Sequence, residues 1–170
     1  MIKRLIRYFR SIHFIQALLA ALSMAIPVLL SSYFFDSLEV GFSIALGTIF
    51  CIPSDISGSI KHKFFGIISS IILTFIITLL IGYISSYLLI LIPGLIILVF
   101  AVSYLSVFGF RASLVSFAGL LSLVLAFTYQ STEISLLEHS LLIVLGGVWY
   151  LFLTFLIQIL LPAFQTDYLF

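Results

Sequence analysis

Long apolar runs, separated by short charged stretches, dominate the sequence. Residues 11–35 contain no Asp, Glu, Lys or Arg, and neither do residues 64–110, an uncharged run of 47 residues. A membrane-spanning helix needs about 20 apolar residues, so the first run fits one span and the second fits a hairpin of two. Together with shorter uncharged blocks, the pattern predicts an all-α membrane protein: one domain over residues 1–170, a bundle of six transmembrane helices at about 12–34, 38–55, 63–85, 88–108, 111–130 and 137–161.

The pattern leaves two boundaries open. The turn between the third and fourth helices falls either at Tyr83–Tyr87, which is polar enough for an interface, or at Pro93–Gly94, with proline in the first turn of the fourth helix. The basic N-terminus followed by an apolar run also resembles a signal peptide. Because that run continues past the possible cleavage sites at Ala21–Ala25, we favour an uncleaved first helix.

Composition agrees with a membrane location. The chain is 64% hydrophobic and 8% charged, with a mean hydropathy of +1.40, whereas a soluble domain has about 25% charged residues. A small soluble domain is therefore excluded, and the lipid bilayer is the first expected partner. The sequence lacks a basic patch interleaved with aromatic residues, which argues against nucleic acid binding.

The distribution of charge predicts the orientation. In a six-span bundle all 7 basic residues fall on one face, and the opposite face receives Asp36, Glu39, Glu133 and Glu138. Because Lys and Arg accumulate in cytoplasmic loops, both termini are predicted to be cytoplasmic. The basic residues are Lys3, Arg4, Arg7, Arg10, Lys61, Lys63 and Arg111.

Catalytic and metal-binding patterns are missing from the sequence. It contains no H-E-x-x-H, no C-x-x-C and no Gly-rich phosphate loop, so we predict neither an enzyme nor a bound cofactor or metal. The single Cys51 rules out an intrachain disulfide. His13, His62 and His139 are far apart in sequence and are interpreted as polar residues at the membrane interface.

Small and polar residues recur at three- and four-residue steps along several helices. Such stripes have two interpretations: close-packed seams between helices, which we favour, or a polar path for a transported molecule. A buried amide or hydroxyl is costly unless it is paired, so these side chains should face protein or water. The candidates for the path are Gln16 in the first helix, Thr74 and Thr78 in the third, and Tyr150, Thr154 and Gln158 in the sixth.

Two segments resemble a known family. ALGTIFCIPSDISGSIKHKFFGI, residues 45–67, and FGFRASLVSFAGLLSLVLAF, residues 108–127, are similar to the fusaric-acid-resistance (FUSC), or aromatic acid exporter, superfamily, closest to its YccS-like inner-membrane branch. The resemblance implies the N-terminal six-helix membrane half of a bacterial inner-membrane efflux protein that exports aromatic or other organic acids. Members are usually longer, so a second membrane half or a homo-oligomer is an expected partner, and this chain would be a truncated half or a short member.

The resemblance also implies candidate site residues. The family motif maps onto Gly47, Pro53, Asp55, Gly58, Lys61 and Lys63, and onto Gly109 and Arg111. Asp55 is expected to cap a turn or to pair with Arg111 or Lys61. The three bases in the cytoplasmic loops would gather a small organic anion before export, or would serve only as a topology anchor beside a structural turn. A non-transporting membrane anchor for a cytoplasmic domain is therefore the alternative function.

Overall fold

The computed structural model of the chain describes residues 12–34, 36–55, 60–85, 87–127 and 135–160. Within these ranges the fold is an all-helical bundle. Two of the α-helices continue into short 3-10 turns, Ile52–Ser54 and Leu105–Phe108. The α-helices are α1 (Ile12–Phe34), α2 (Leu38–Cys51), α3 (Ile60–Ile84), α4 (Leu88–Tyr104), α5 (Phe110–Ala126) and α6 (Leu136–Leu160).

The predicted order of helices is confirmed, and their bounds differ by three to four residues at four ends: α3 begins at Ile60, α4 gives way to a 3-10 turn after Tyr104, and α2 and α5 end early. The second helix was expected to reach residue 55, but α2 ends at Cys51 and Pro53 lies in the 3-10 turn that follows. Proline lacks a backbone N–H, which favours an end to the α-helical ladder at this point. The fifth helix was expected to reach residue 130, and α5 ends earlier, at Ala126.

The connection between α3 and α4 falls after Ile84 and before Leu88, within the polar segment that was one of the two alternatives. Tyr87 begins the new helix, since its carbonyl accepts hydrogen bonds from the N–H groups of Ile90 at 3.0 Å and Leu91 at 2.9 Å. The other alternative is wrong, because Pro93 lies inside α4. Prolines are tolerated within membrane helices when neighbouring groups satisfy the freed backbone.

Four of the described helices are long and apolar enough to cross a membrane: Gln16–Phe34, Lys63–Ile84, Leu89–Phe108 and Leu136–Ile157. Leu38–Ser54 and Phe110–Ala126 are shorter apolar helices. The α-helical part of the former has 14 residues, about 21 Å at the usual rise. The count of six spans, the orientation with both termini inside and the single-domain extent therefore stay predictions.

Contacts along the helices show their relative directions. Ser43, Gly47 and Cys51 of α2 approach His139, Ile143 and Gly147 of α6 in that order, so the two helices run parallel. In contrast, α3 runs antiparallel to α6, since Gly82 approaches Leu136 and Ile71 approaches Gly147. Alternating directions of this kind are those of an up-and-down helical bundle.

Glycines bring α2 and α6 into close contact along what we call the α2/α6 seam, residues 43–51 and 139–147. A Cβ atom added at Gly47 would lie 2.0 Å from the Ile143 carbonyl oxygen, and one at Gly146 would lie 1.9 Å from the Ile44 carbonyl oxygen. Only glycine allows backbones to approach so closely, as is common between membrane helices. Ser43, Gly47 and Cys51, which lie at four-residue steps, thus form a packing surface, as the favoured interpretation of such stripes expects.

Candidate functional site

A buried carboxylate joins three elements at one end of the bundle. Asp55 Oδ1 lies 2.6 Å from Lys63 Nζ, and Asp55 Oδ2 accepts a hydrogen bond of 2.9 Å from the Tyr150 hydroxyl. The Asp55 side chain is 4% exposed and that of Lys63 is 17% exposed. We call these three residues the Asp55 cluster.

Local structure explains how the chain places each member. The 3-10 turn after α2 closes when the Asp55 N–H donates to the Ile52 carbonyl at 3.1 Å, which turns the carboxylate back into the bundle. Lys63 lies in the first turn of α3, and Tyr150 lies midway along α6, 2% exposed. The hydroxyls of Ser54 and Ser70 share a buried hydrogen bond beside the cluster and tie the same turn to α3.

Burial makes the charges of the Asp55 cluster interdependent. Removing two opposite charges from water is costly, and the attraction between them offsets the cost only when both are present. The Lys63 ammonium has more donor hydrogens than the one it directs to Asp55, and its side chain keeps some exposure. A second carboxylate or another oxyanion could therefore compete with Asp55 for Lys63.

Thr154 adds an unsatisfied hydroxyl near the cluster. It lies one turn beyond Tyr150 on the same face of α6 and is 6% exposed. Its Oγ1 atom is buried beside the Tyr150 side chain and makes no hydrogen bond of standard geometry within the described part of the chain. A buried, unpaired hydroxyl costs about 1–3 kcal/mol, so this position suits a small polar ligand or water.

The other candidates for the polar path fall in different surroundings. Thr74 and Thr78 are buried, and their hydroxyls donate to carbonyls of α3 itself, those of Ile71 at 3.1 Å and Thr74 at 2.8 Å. Gln16 is half-buried on α1. The side chain of Gln158 lies outside the described residues. The path itself therefore stays a prediction.

Among the described residues Asp55 pairs with Lys63, which was not one of its expected partners. Arg111 was one of them, yet it is exposed near the start of α5 and lines a separate groove. The other expected partner was Lys61, whose side chain lies outside the described residues. Gly58, a further residue of the proposed motif, also lies outside them. The register of α3 explains the outcome, since it turns Lys63 toward the Asp55 carboxylate.

A second buried polar contact joins His139 to Ser43, a pairing that the sequence did not suggest. His139, interpreted as a polar residue at the membrane interface, is 2% exposed, and its Nδ1 atom lies 2.9 Å from Ser43 Oγ. The Ser43 hydroxyl also donates to the Glu39 carbonyl at 2.8 Å, so the Nδ1 nitrogen is the donor in this contact. The small-residue stripe containing Ser43 was the available signal, but no sequence feature linked it to His139.

Metal binding finds no support among the described residues, where no three His, Cys, Asp or Glu side chains group closely enough to hold an ion. In the Asp55 cluster the carboxylate of Asp55 pairs with the Lys63 ammonium and accepts a hydrogen bond from the Tyr150 hydroxyl.

Comparison with known proteins identifies the family. The model of the FUSC-like family, described as FUSC-like inner membrane protein yccS, matches residues 66–165, more than half of the 170-residue chain. The chain belongs to the FUSC-like family. No curated protein and no solved structure matches it. The resemblance inferred from the sequence is thus confirmed, and the FUSC-like protein is a multi-pass protein of the inner membrane.

The matched range bears differently on the two parts of the proposed motif. It contains Gly109 and Arg111 and all of α4 and α5, but it begins after Asp55 and Lys63. The FUSC-like family is a membrane transporter family, so a transport-related role follows at the level of the family. The roles of individual residues remain predictions.

Proposed function

We propose that the FUSC-like protein is the membrane part of an efflux transporter that moves organic, chiefly aromatic, anions out of the cytoplasm. The observation that carries the proposal is the Asp55 cluster, in which a buried carboxylate holds a lysine that an incoming anion could bind. Ionisable groups buried in membrane proteins are costly to keep and are most often functional. Family membership supports the transport part of the proposal.

In the proposed mechanism the substrate carboxylate exchanges with Asp55 on Lys63. The incoming anion keeps Lys63 neutralised while Asp55 retains its hydrogen bond from Tyr150. The exchange keeps Lys63 paired but leaves the buried Asp55 carboxylate without its counter-charge, so the displaced carboxylate needs further hydrogen-bond donors besides Tyr150. The unsatisfied Thr154 hydroxyl would then donate to the displaced carboxylate or to the bound anion.

The close packing inside the bundle favours a second role. In it the chain is a non-transporting anchor or assembly module for a cytoplasmic domain. Several buried hydroxyls hydrogen-bond to carbonyls of their own helix, as in Thr48 to Ala45 at 2.7 Å and Ser122 to Gly119 at 2.8 Å. The glycine contacts of the α2/α6 seam leave no space between those two backbones. Both features suit a rigid support.

The two roles are separated by counterflow in proteoliposomes that contain the full chain. Radiolabelled benzoate and benzenesulfonate serve as probes; the second is permanently ionised and does not leak as a neutral acid. The vesicles are loaded with unlabelled probe, and the wild type should take up labelled probe from outside in exchange. Asp55→Asn should abolish this uptake because the exchangeable ion pair is lost. Cells preloaded with benzenesulfonate test direction, since the wild type should speed its loss.

Two controls separate function from folding. The double variant Asp55→Asn with Lys63→Met removes both charges and should fold well without transporting. Asp36→Asn makes the same chemical change at an exposed site and should transport normally. Wild-type vesicles that carry neither probe would favour the anchor role, and transport by the double variant would refute the exchange mechanism.

A further inference from the structure

An open apolar groove lies on the outer side of the bundle, and its lining includes no member of the Asp55 cluster. Its volume is about 560 Å³. The lining comes from α3, the 3-10 turn after α4, and the start of α5, and it includes Ser69, Ile72, Ile76, Phe108 and Arg111. Ile72, Ile76 and Phe108 are 54%, 46% and 72% exposed, so the groove opens sideways, toward the lipid of the inner membrane.

Helix α3 thus has two different faces. Ser70 and Thr74 face the interior of the bundle and are at most 1% exposed, whereas Ser69, Ile72 and Ile76 line the groove. The groove does not require the Asp55 cluster, and any ligand in it would lie against the outside of the protein.

The groove carries charge at one end only. Among the described residues that line it, Arg111 has the only charged side chain. Gly119 packs on Leu73 and Ile77, and Arg111 precedes it by about two turns of α5. Since α3 and α5 line the groove in parallel, Arg111 lies at the Phe65 end of the groove. Within the described part of the chain no carboxylate pairs with Arg111.

The length of the groove corresponds to one leaflet of a bilayer. Its α3 side runs from Phe65 to Ile76, about 16 Å at the usual helical rise. The hydrocarbon core of a bilayer is about 30 Å thick, so one leaflet contributes about half of that. An acyl chain lying along α3 would therefore fill the groove with its headgroup beside Arg111.

We propose that this groove binds one anionic phospholipid, with the phosphate on Arg111 and one acyl chain against Ile72, Leu73 and Ile76. Charge complementarity selects an anionic headgroup, since basic residues near the membrane surface bind anionic lipids. The apolar lining and the lateral opening select a lipid over a soluble anion. This site is independent of the proposed transport function.

The proposal is tested by native mass spectrometry of the full chain purified in non-ionic detergent. Dioleoylphosphatidylglycerol is titrated against dioleoylphosphatidylcholine. The wild type should retain one phosphatidylglycerol more tightly than phosphatidylcholine, Arg111→Gln should weaken that binding about fivefold, and Arg111→Lys should keep most of it. Asp36→Asn changes the net charge by the same magnitude at an exposed residue outside the groove lining and is the control, expected to bind as the wild type does.

Position is tested separately. Ala112→Trp fills the groove and leaves Arg111 in place, so it too should reduce phosphatidylglycerol binding. A phosphatidylglycerol with a diazirine on its acyl chain should label wild-type residues 65–76 or 105–115, which needs no variant to fold. Equal retention of both lipids, unchanged binding in Arg111→Gln, unchanged binding in a folded Ala112→Trp, or labelling confined to other helices would each overturn the proposal.

Discussion

Lys63 and Arg111 lie at the same end of the bundle, in regions that differ in almost every other respect. Lys63 belongs to the Asp55 cluster, where a carboxylate neutralises it and α2, α3 and α6 surround it. Arg111 lies at the outer edge, at the end of an apolar groove and exposed. The sequence grouped them as anion-gathering bases in cytoplasmic loops. The structure separates an internal, paired cation from an external cation that remains open to a ligand.

The difference extends to the helices that carry each region. The α2/α6 seam depends on glycines that lie against carbonyl oxygens of the neighbouring helix. In contrast, only 6% of the apolar window within Leu89–Phe108, which covers nearly all of α4, is buried. Substitutions in the Asp55 cluster and the α2/α6 seam should therefore change the stability of the fold. Substitutions on the outer side of the bundle should change what the surface binds. The predictions that follow test this contrast, beginning with the largest expected effect.

Loss of the Asp55 charge should have the largest effect on stability. Asp55→Asn leaves the mostly buried Lys63 ammonium without its counter-charge, and breaking a buried pair in this way costs about 3–5 kcal/mol. Because Lys63 keeps 17% exposure, we expect the lower end, about 3 kcal/mol. The measurement is the free energy of unfolding of the full chain in mixed micelles titrated with SDS and followed by circular dichroism.

The double variant and a surface control sharpen this prediction. Asp55→Asn with Lys63→Met should recover most of the lost free energy, since no unpaired charge remains buried. Asp36 is exposed and has a φ of 48°, a conformation that asparagine tolerates, so Asp36→Asn should change stability by less than about 0.5 kcal/mol. Equal stability of the two single variants would mean that the ion pair is not effectively buried.

A pair of glycine substitutions compares the seam with the outer helix directly. A Cβ at Gly146 would lie 1.9 Å from a backbone oxygen, and the backbone cannot move aside as a side chain can, so Gly146→Ala should cost about 1–3 kcal/mol. At Gly94 the nearest atom would lie 3.6 Å away. Gly94→Ala should therefore be neutral, or stabilising by up to about 1 kcal/mol through helix propensity.

The same SDS titration measures both alanine variants. The difference between their free energies of unfolding matters more than either value. A lower value for Gly146→Ala would indicate that α2 and α6 are in close contact in the folded protein. If Gly146→Ala unfolds no earlier than Gly94→Ala, then the two helices do not approach as described.

The helices and their order were predictable because each depends on a local run of uncharged residues. The end of α2 near Pro53 was missed by four residues, since a 3-10 turn continues the same apolar pattern. The site was harder to predict from the sequence. Tyr150 and Asp55 are 95 residues apart, and only the parallel packing of α2 and α6 brings them together. Charge counting assigns Lys63 and Arg111 to a membrane face, but carries no information on which lies inside the bundle.

Thr154 gives the smallest stability effect and the clearest separation of structure from function. Its hydroxyl is buried beside Tyr150 without a hydrogen bond of standard geometry among the described residues, so Thr154→Val, which keeps the shape and removes the hydroxyl, should be neutral or stabilising by about 1 kcal/mol. If Thr154 serves the exchange of an anion beside Tyr150, the same variant should slow benzenesulfonate counterflow despite unchanged or higher stability.

Thr74→Val is the matched control, since the Thr74 hydroxyl is satisfied by the Ile71 carbonyl and its loss should leave counterflow intact. Loss of stability in Thr154→Val would show instead that the hydroxyl has a structural partner, and the inner region would then be wholly a packing core.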